Sequence, residues 1–320
     1  MPAGTLLRAF VGGLLAIAAS GAHLAEAGHD PPFVLVDLAT EYGGFYDRTT
    51  ELDATARVEA FRAHFGPRFP GFYDAARVAA LTTPAGYDAL IARSFATFPD
   101  LRPRYEATVA GFAAMMGSAR ETFVQEFPDL RPTGEVYLVH SVGEMDGGTR
   151  TIGGRRYLVF GADVMARIHE PGRARPFFHH ELFHVYHAQS FEGCDAVWCA
   201  LWSEGLAVLA SDALNPGAYD GELLLALPRP IRAEVDARRS EAVCAVRARL
   251  DSSSPDDYAP LFTGRKSLEG LPPRFGYYVG YLAAREARRT RTVSELAHLD
   301  RREARSVLEA ALASLAECRG

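Results

Sequence analysis

Apolar residues recur three and four positions apart through most of the first 130 residues, the spacing that keeps them on one face of an α-helix. Val58, Phe61 and Phe65 form one such stripe, and Tyr87, Leu90, Ile91 and Phe95 form a second. Tyr105, Val109, Phe112, Met116 and Phe123 form a longer third. The segment 31–130 therefore reads as mostly helical. Pro67, Pro70, Pro84, Pro99, Pro103 and Pro128 are expected to separate these helices, because proline lacks the N–H that a helix interior uses. The period then shortens to two. Residues 135–142 read as a strand, Asp146-Gly147 and Gly153-Gly154 as turns, and 156–160 as a second strand. Helical spacing returns afterwards. Residues 177–191 are apolar and free of glycine and proline, and 201–214 carries Leu206, Leu209 and Leu214 at helical intervals. Further helices are expected at 232–250, 276–288 and 301–317. Thr292 with Glu295 and Asp300 with Glu303 have capping-box spacing. Residues 251–257, rich in Ser, Pro and Asp, read as a loop. No internal repeat or low-complexity segment is present.

The first 27 residues change the picture from a fold to a location. Arg8 precedes an uncharged, mostly apolar run at 9–19, and small residues follow at Ser20-Gly21-Ala22 and Ala25-Glu26-Ala27. This is the pattern of a cleaved secretory signal, and the run is well short of the roughly 20 residues that span a bilayer. No stable membrane insertion is expected. No cysteine precedes Cys194, which excludes lipid attachment at a processed N-terminal cysteine. An exported chain, periplasmic or secreted, favours disulfides among the four cysteines. We expect Cys194 to pair with Cys199 and Cys244 with Cys318. The net charge of −6 gives no electrostatic case for nucleic acid as a partner. Lys266 is the single lysine among 34 basic residues. The arginines of 285–305 are interleaved with Glu286, Glu295, Asp300 and Glu303, as on a solvated helical surface.

The chemistry is concentrated in His179-His180-Glu181-Leu182-Phe183-His184, which contains a complete H-E-x-x-H. An α-helix turns about 100° per residue, so His180 and His184 stand one turn apart on one face and can share a metal ion. Glu181 lies beside them, placed to act as the general base toward water at the metal. The third ligand has several candidates. His187 is about 10.5 Å of helical rise beyond His180, too far for a zinc ion with bonds near 2 Å. A metzincin needs Gly and His where this chain has His187 and Ser190, so that class is excluded. Glu192 and Asp195 follow the helix closely. Glu204, at the start of the next apolar segment, would reach the metal if that segment folds back against the first. Ligation by cysteine is disfavoured, since neither expected pair has C-x-x-C spacing.

His180, Glu181, His184 and Glu204, with Ser203-Glu204-Gly205-Leu206-Ala207 around the last, resemble the gluzincin class of zinc metallopeptidases. Within it they resemble the bacterial predicted zinc-dependent proteases of unassigned substrate. A late G-Y-x-x-G-Y element matches at Gly276, Tyr277, Gly280 and Tyr281, and the likeness covers roughly 176–287. It implies one Zn²⁺ held by His180, His184 and Glu204, Glu181 as general base, and Tyr277 as donor to the oxyanion. A packing role for Phe275, Tyr277, Tyr278 and Tyr281 stays open beside that. One departure is Val208, where the thermolysin-like pattern has an aspartate. Support for the histidines must then come from elsewhere, with Asp212 a candidate.

These readings combine into an α+β, mostly helical chain. A leader at 1–27 and a helical N-terminal region at 28–130 precede a zincin-like catalytic domain at 131–320, built from a small sheet, the active-site helix and a helical C-terminal part. The small sheet offers an edge strand that could hold an extended peptide by main-chain hydrogen bonds, or is a plain structural hairpin. The expected function is an exported zinc metallopeptidase acting on peptide or protein substrates. Alternatives are a non-catalytic binding protein on the same scaffold and a zinc hydrolase of non-peptide substrates.

Overall fold

The computed structural model describes residues 34–79, 82–131, 134–264 and 266–318; the expected leader at 1–27 lies outside the described residues. The chain opens with strand β1 (Val34–Asp37), then helices α1 (Thr40–Arg48), α2 (Ala54–Phe65) and α3 (Pro84–Glu126). Strands β2 (Glu135–Val139), β3 (Gly147–Ile152) and β4 (Arg155–Gly161) follow. The remainder is helical: α4 (Ala162–Ile168), α5 (Arg175–His187), α6 (Val197–Leu214), α7 (Arg232–Ala237), α8 (Arg239–Arg247), α9 (Pro255–Phe262), α10 (Phe275–Ala287), α11 (Val293–Ala297) and α12 (Arg301–Leu315). The fold is thus mostly helical with one small mixed sheet.

That sheet has four strands in the order β1-β2-β4-β3, with β1, β2 and β4 parallel and β3 antiparallel to β4. Two departures from the expected pattern meet here. The helical reading of 31–130 missed β1, whose Val34-Leu35-Val36 is too short to show a period but pairs with β2 from Val34↔Glu135 onward. The reading of Asp146-Gly147 as a turn hid β3, which begins at Gly147 and forms the sheet edge. The turn lies just before it, at residues 141–146. Asp163, fully buried, accepts from Ser141 N (2.6 Å), Ser141 Oγ (2.8 Å) and Gly143 N (2.6 Å). Positive φ at Val142 and Gly143 completes the bend, so a buried carboxylate sets where β3 starts.

Pro99 and Pro103 were expected to break the chain, yet α3 runs through both for 43 residues. Each interior proline costs roughly 3 kcal/mol. Burying a large apolar side chain returns about 1.5–3 kcal/mol, and Ile91, Phe95, Phe98, Leu101, Tyr105 and Phe112 are all buried on either side of the two prolines. The helix is held by its neighbours rather than by its own propensity. The expected helix at 232–250 is divided at Arg238, whose φ of −132° and ψ of 37° are not helical. The expected loop at 251–257 ends earlier, because Ser254 caps α9 by accepting from Asp256 N, with Pro255 as its first residue.

Helix α6 lies between α5 and α10 and forms the centre of the C-terminal core. It is long and apolar enough to cross a membrane, but Leu201, Trp202, Leu206, Val208 and Leu209 are at most 1% exposed, as expected for a core helix. A Cβ on Gly205 would stand 2.3 Å from the Gly280 carbonyl, and one on Gly280 would stand 2.5 Å from the Leu201 oxygen. The two backbones therefore touch at glycine. This close approach fixes α6 against α10 and, with them, Glu204 against Tyr277. Disulfides join Cys194 in the α5–α6 connection to Cys199 in the first turn of α6, and Cys244 on α8 to Cys318 near the C-terminal end.

Candidate metal centre

Helix α5 carries the H-E-x-x-H residues with His180 and Glu181 buried, 3% and 7% exposed, and with His184 partly open to the cleft. His180 Nε2 and His184 Nε2 are 3.0 Å apart. Glu204 Oε2, delivered by α6, is 3.2 Å from each. Among the described residues these three form the group whose ligand atoms converge as a metal requires. A tetrahedral zinc ion with bonds of about 2.0–2.1 Å holds its ligands roughly 3.3 Å apart, so the triangle and its donor set of two imidazoles and one carboxylate fit such an ion. Glu192 and Asp195 do not join it. Glu192 pairs instead with Arg156, and Asp195 is exposed.

The electrostatics follow from burial in a small space. For Glu204 burial raises the carboxyl, but the imidazoles of His184 and His180 outweigh it and hold the group well below the usual carboxylate range. For His184 burial opposes the charge, and the Glu204 carboxylate prevails, pushing it up to about 9. His180 goes the other way, lowered chiefly by burial. For Glu181 burial prevails over the pull of His184 and pushes its carboxyl up to about 8. A carboxylate that ionises near neutrality is suited to exchanging protons with water.

All four residues line one cleft of about 800 Å³, together with the start of β3 and with Tyr277 and Arg274. A Cβ on Gly148 would meet Glu181 Oε2 at 3.8 Å, and this glycine has φ +136°. Strand β3 therefore passes directly over Glu181 as bare backbone. Glu144, just before the strand, is gripped by Arg77 (2.9 Å) and Arg150 (3.1 Å). Asp146 Oδ2 lies 3.0 Å from His169 Nε2. These anchors hold the strand edge in place above the cleft.

Tyr277, Tyr278 and Tyr281 separate in space. Tyr277 lines the cleft with its ring centroid 6.3 Å from that of His180. Its hydroxyl is raised far above its ordinary value by burial and by Glu204, so the phenol stays protonated. Tyr278 donates to Asp236 (3.1 Å) and Tyr281 to Asp212 (2.7 Å), both away from the cleft. Gly276 and Gly280 are there for packing, since a Cβ on Gly276 would meet the Leu261 oxygen at 2.7 Å. Asp212 is thus committed to Tyr281 and does not support the histidines. His187 packs against Phe191 at 4.7 Å between ring centroids, with Nδ1 3.2 Å from Ser203 Oγ. His180 Nδ1 is buried without a hydrogen-bond partner.

Arg274 escaped the reading of the sequence. It has φ 64° and ψ 16°, the left-handed conformation, immediately before α10. Its guanidinium lies 4.3 Å over the Tyr277 ring. No sequence pattern marks an arginine in that conformation, although Leu271-Pro272-Pro273 before it does signal an irregular turn. No family model, no curated protein and no solved structure matches this chain.

Proposed function

We propose that this protein is an exported zinc-dependent metallopeptidase of the gluzincin type, with a zincin-like core. The observation that carries the reading is the meeting of His180 Nε2, His184 Nε2 and Glu204 Oε2 within 3.0–3.2 Å, with Glu181 in the same cleft. His180, His184 and Glu204 would hold one zinc ion, and bound zinc supplies the Lewis acidity that polarises a carbonyl and acidifies water. Glu181 takes the proton of the attacking water and later hands it to the leaving amine. Tyr277, protonated and facing the cleft, donates to the oxygen on which negative charge develops. The β3 edge, bare at Gly147 and Gly148, offers its main-chain groups to an extended peptide.

In this reading the leader at 1–27 directs export, and the two disulfides support an oxidising compartment. The region 28–130 buttresses a catalytic domain at 131–320. Thr122 of α3, with Oγ1 2.9 Å from His179 Nε2, braces the helix that carries the ligands.

Digestion of a mixed peptide library, with and without a chelator, tests the proposal. Zinc-loaded protein should cleave peptides and lose this on chelation. Glu181→Gln should keep its zinc and lose at least about a hundredfold in rate. Undiminished cleavage by that variant would remove Glu181 from its role. Cleavage of ester or amide substrates other than peptides would move the protein to a different class of zinc hydrolase.

A further inference from the structure

Several charged groups around the cleft are held in ion pairs, and Arg274 stands apart from them. Glu144 carries both Arg77 and Arg150, Arg156 pairs with Glu192, and Asp146 faces His169. Arg274 also lines the cleft, yet among the described residues it makes no ion pair. Its contacts include the Tyr277 side chain and a long hydrogen bond of 3.4 Å from Nη1 to the Leu227 carbonyl, and its charge is felt at Asp146 and His180 across the cleft. Its backbone is fixed at both ends. Arg274 N donates to the Pro260 oxygen at 2.9 Å, and Tyr277 N donates to the Arg274 oxygen at 3.1 Å. A non-glycine residue held in the left-handed region is a strained conformation that the surrounding structure must impose, and such strain concentrates at sites that position a group for function.

We propose that Arg274 is a specificity-determining residue that binds a carboxylate of the substrate beside the bond to be cut. The guanidinium presents a planar fork of donors suited to two parallel hydrogen bonds with a carboxylate. It stands beside Tyr277, so the carboxylate it holds belongs to the part of the substrate next to the reacting carbonyl. The source is either the free C-terminus of a peptide or an acidic side chain adjacent to the scissile bond. The inference rests on the cleft being the reaction site.

The experiment uses three zinc-loaded proteins: wild type, Arg274→Lys, and Arg274→Asn, the last chosen because asparagine tolerates the left-handed region. Zinc content and thermal melting establish that each is folded and loaded. The probes are four versions of one short peptide: free C-terminus, amidated C-terminus, amidated with Asp beside the scissile bond, and amidated with Asn there. Wild type should favour one carboxylate version over its neutral partner. Arg274→Asn should lose roughly ten- to a hundredfold of that preference, and lysine should restore part of it. The neutral peptides should change less than about threefold. Which carboxylate is favoured identifies its source. Equal losses on charged and neutral peptides would overturn the proposal and leave Arg274 as a support for Tyr277. Equilibrium binding of the same peptides separates this inference from the peptidase reading. Binding that favours the carboxylate through Arg274 without cleavage would sink the peptidase and keep the site. Cleavage and binding indifferent to the carboxylate would do the reverse.

Discussion

At the scale of single residues, two histidines one helical turn apart and a glutamate beside them announce metal chemistry because side-chain direction on a helix depends on spacing alone. Glu204 was legible for a weaker reason. Its preference over Glu192 and Asp195, which lie in the intervening loop, required the next helix to fold back antiparallel, and the resemblance of the surrounding motif agreed with it. Geometry now distinguishes the three, since only Glu204 lies 3.2 Å from both imidazoles. Among Tyr277, Tyr278 and Tyr281 the sequence offered no physical distinction, as all lie on one short helix. Of the three, Tyr277 alone lines the cleft, and in the proposed mechanism its phenol donates to the oxyanion. Replacing Tyr277 with Phe should lower turnover by about a hundredfold, the cost of one lost oxyanion donor, with zinc content unchanged. Full activity in the variant would leave Tyr277 a packing residue.

At the scale of elements, the cleft depends on how closely α6 approaches α10. Both backbones are bare where they cross, and any side chain there must displace main chain. Gly205→Ala should cost about 3 kcal/mol, the upper part of the usual range for overpacking, read as a lowered urea midpoint. Gly111 in α3 gives the contrast, because a Cβ there meets nothing within 4 Å. Gly111→Ala should stabilise by about 0.5–1 kcal/mol, the ordinary helix preference for alanine. If both variants moved the midpoint alike, the contact between Gly205 and Gly280 would not be the constraint described. The same scale explains why α3 was misread. Proline's local penalty is visible in sequence, whereas the aromatic surface that α3 buries on both sides of Pro99 and Pro103 becomes visible only when the partners are in place.

At the scale of the whole molecule, buried histidines tie stability to pH. His140 is 1% exposed, stacked 3.6 Å from Tyr42, and neither ring nitrogen has a hydrogen-bond partner. Burial lowers it to about 4, with Asp163 opposing and Arg167 reinforcing the shift. His179 is lowered to about 4 for the same leading reason. Above pH 6.5 both are neutral whether folded or unfolded. As pH falls from about 6.5 toward 4 the unfolded chain takes up protons that the folded chain refuses, so stability is lost across that window. The limiting slope is roughly 1.4 kcal/mol per pH unit for each histidine. His140→Phe should flatten the fall in melting temperature between pH 6.5 and 4, leaving the share due to the other histidines that burial lowers, His179, His180 and His187. Parallel curves for the two proteins would show that His140 is not refused its proton. By itself the sequence determined that His180 and His184 share one helical face with Glu181 beside them, and it marked the helical stripes, because these rest on spacing along the chain. Tertiary structure alone decided that β1 and β3 complete the sheet, that α3 continues through two prolines, which tyrosine lines the cleft beside His180, and that Arg274 makes no ion pair there among the described residues. Those outcomes depend on neighbours distant in sequence, whose burial and charge outweigh local preference.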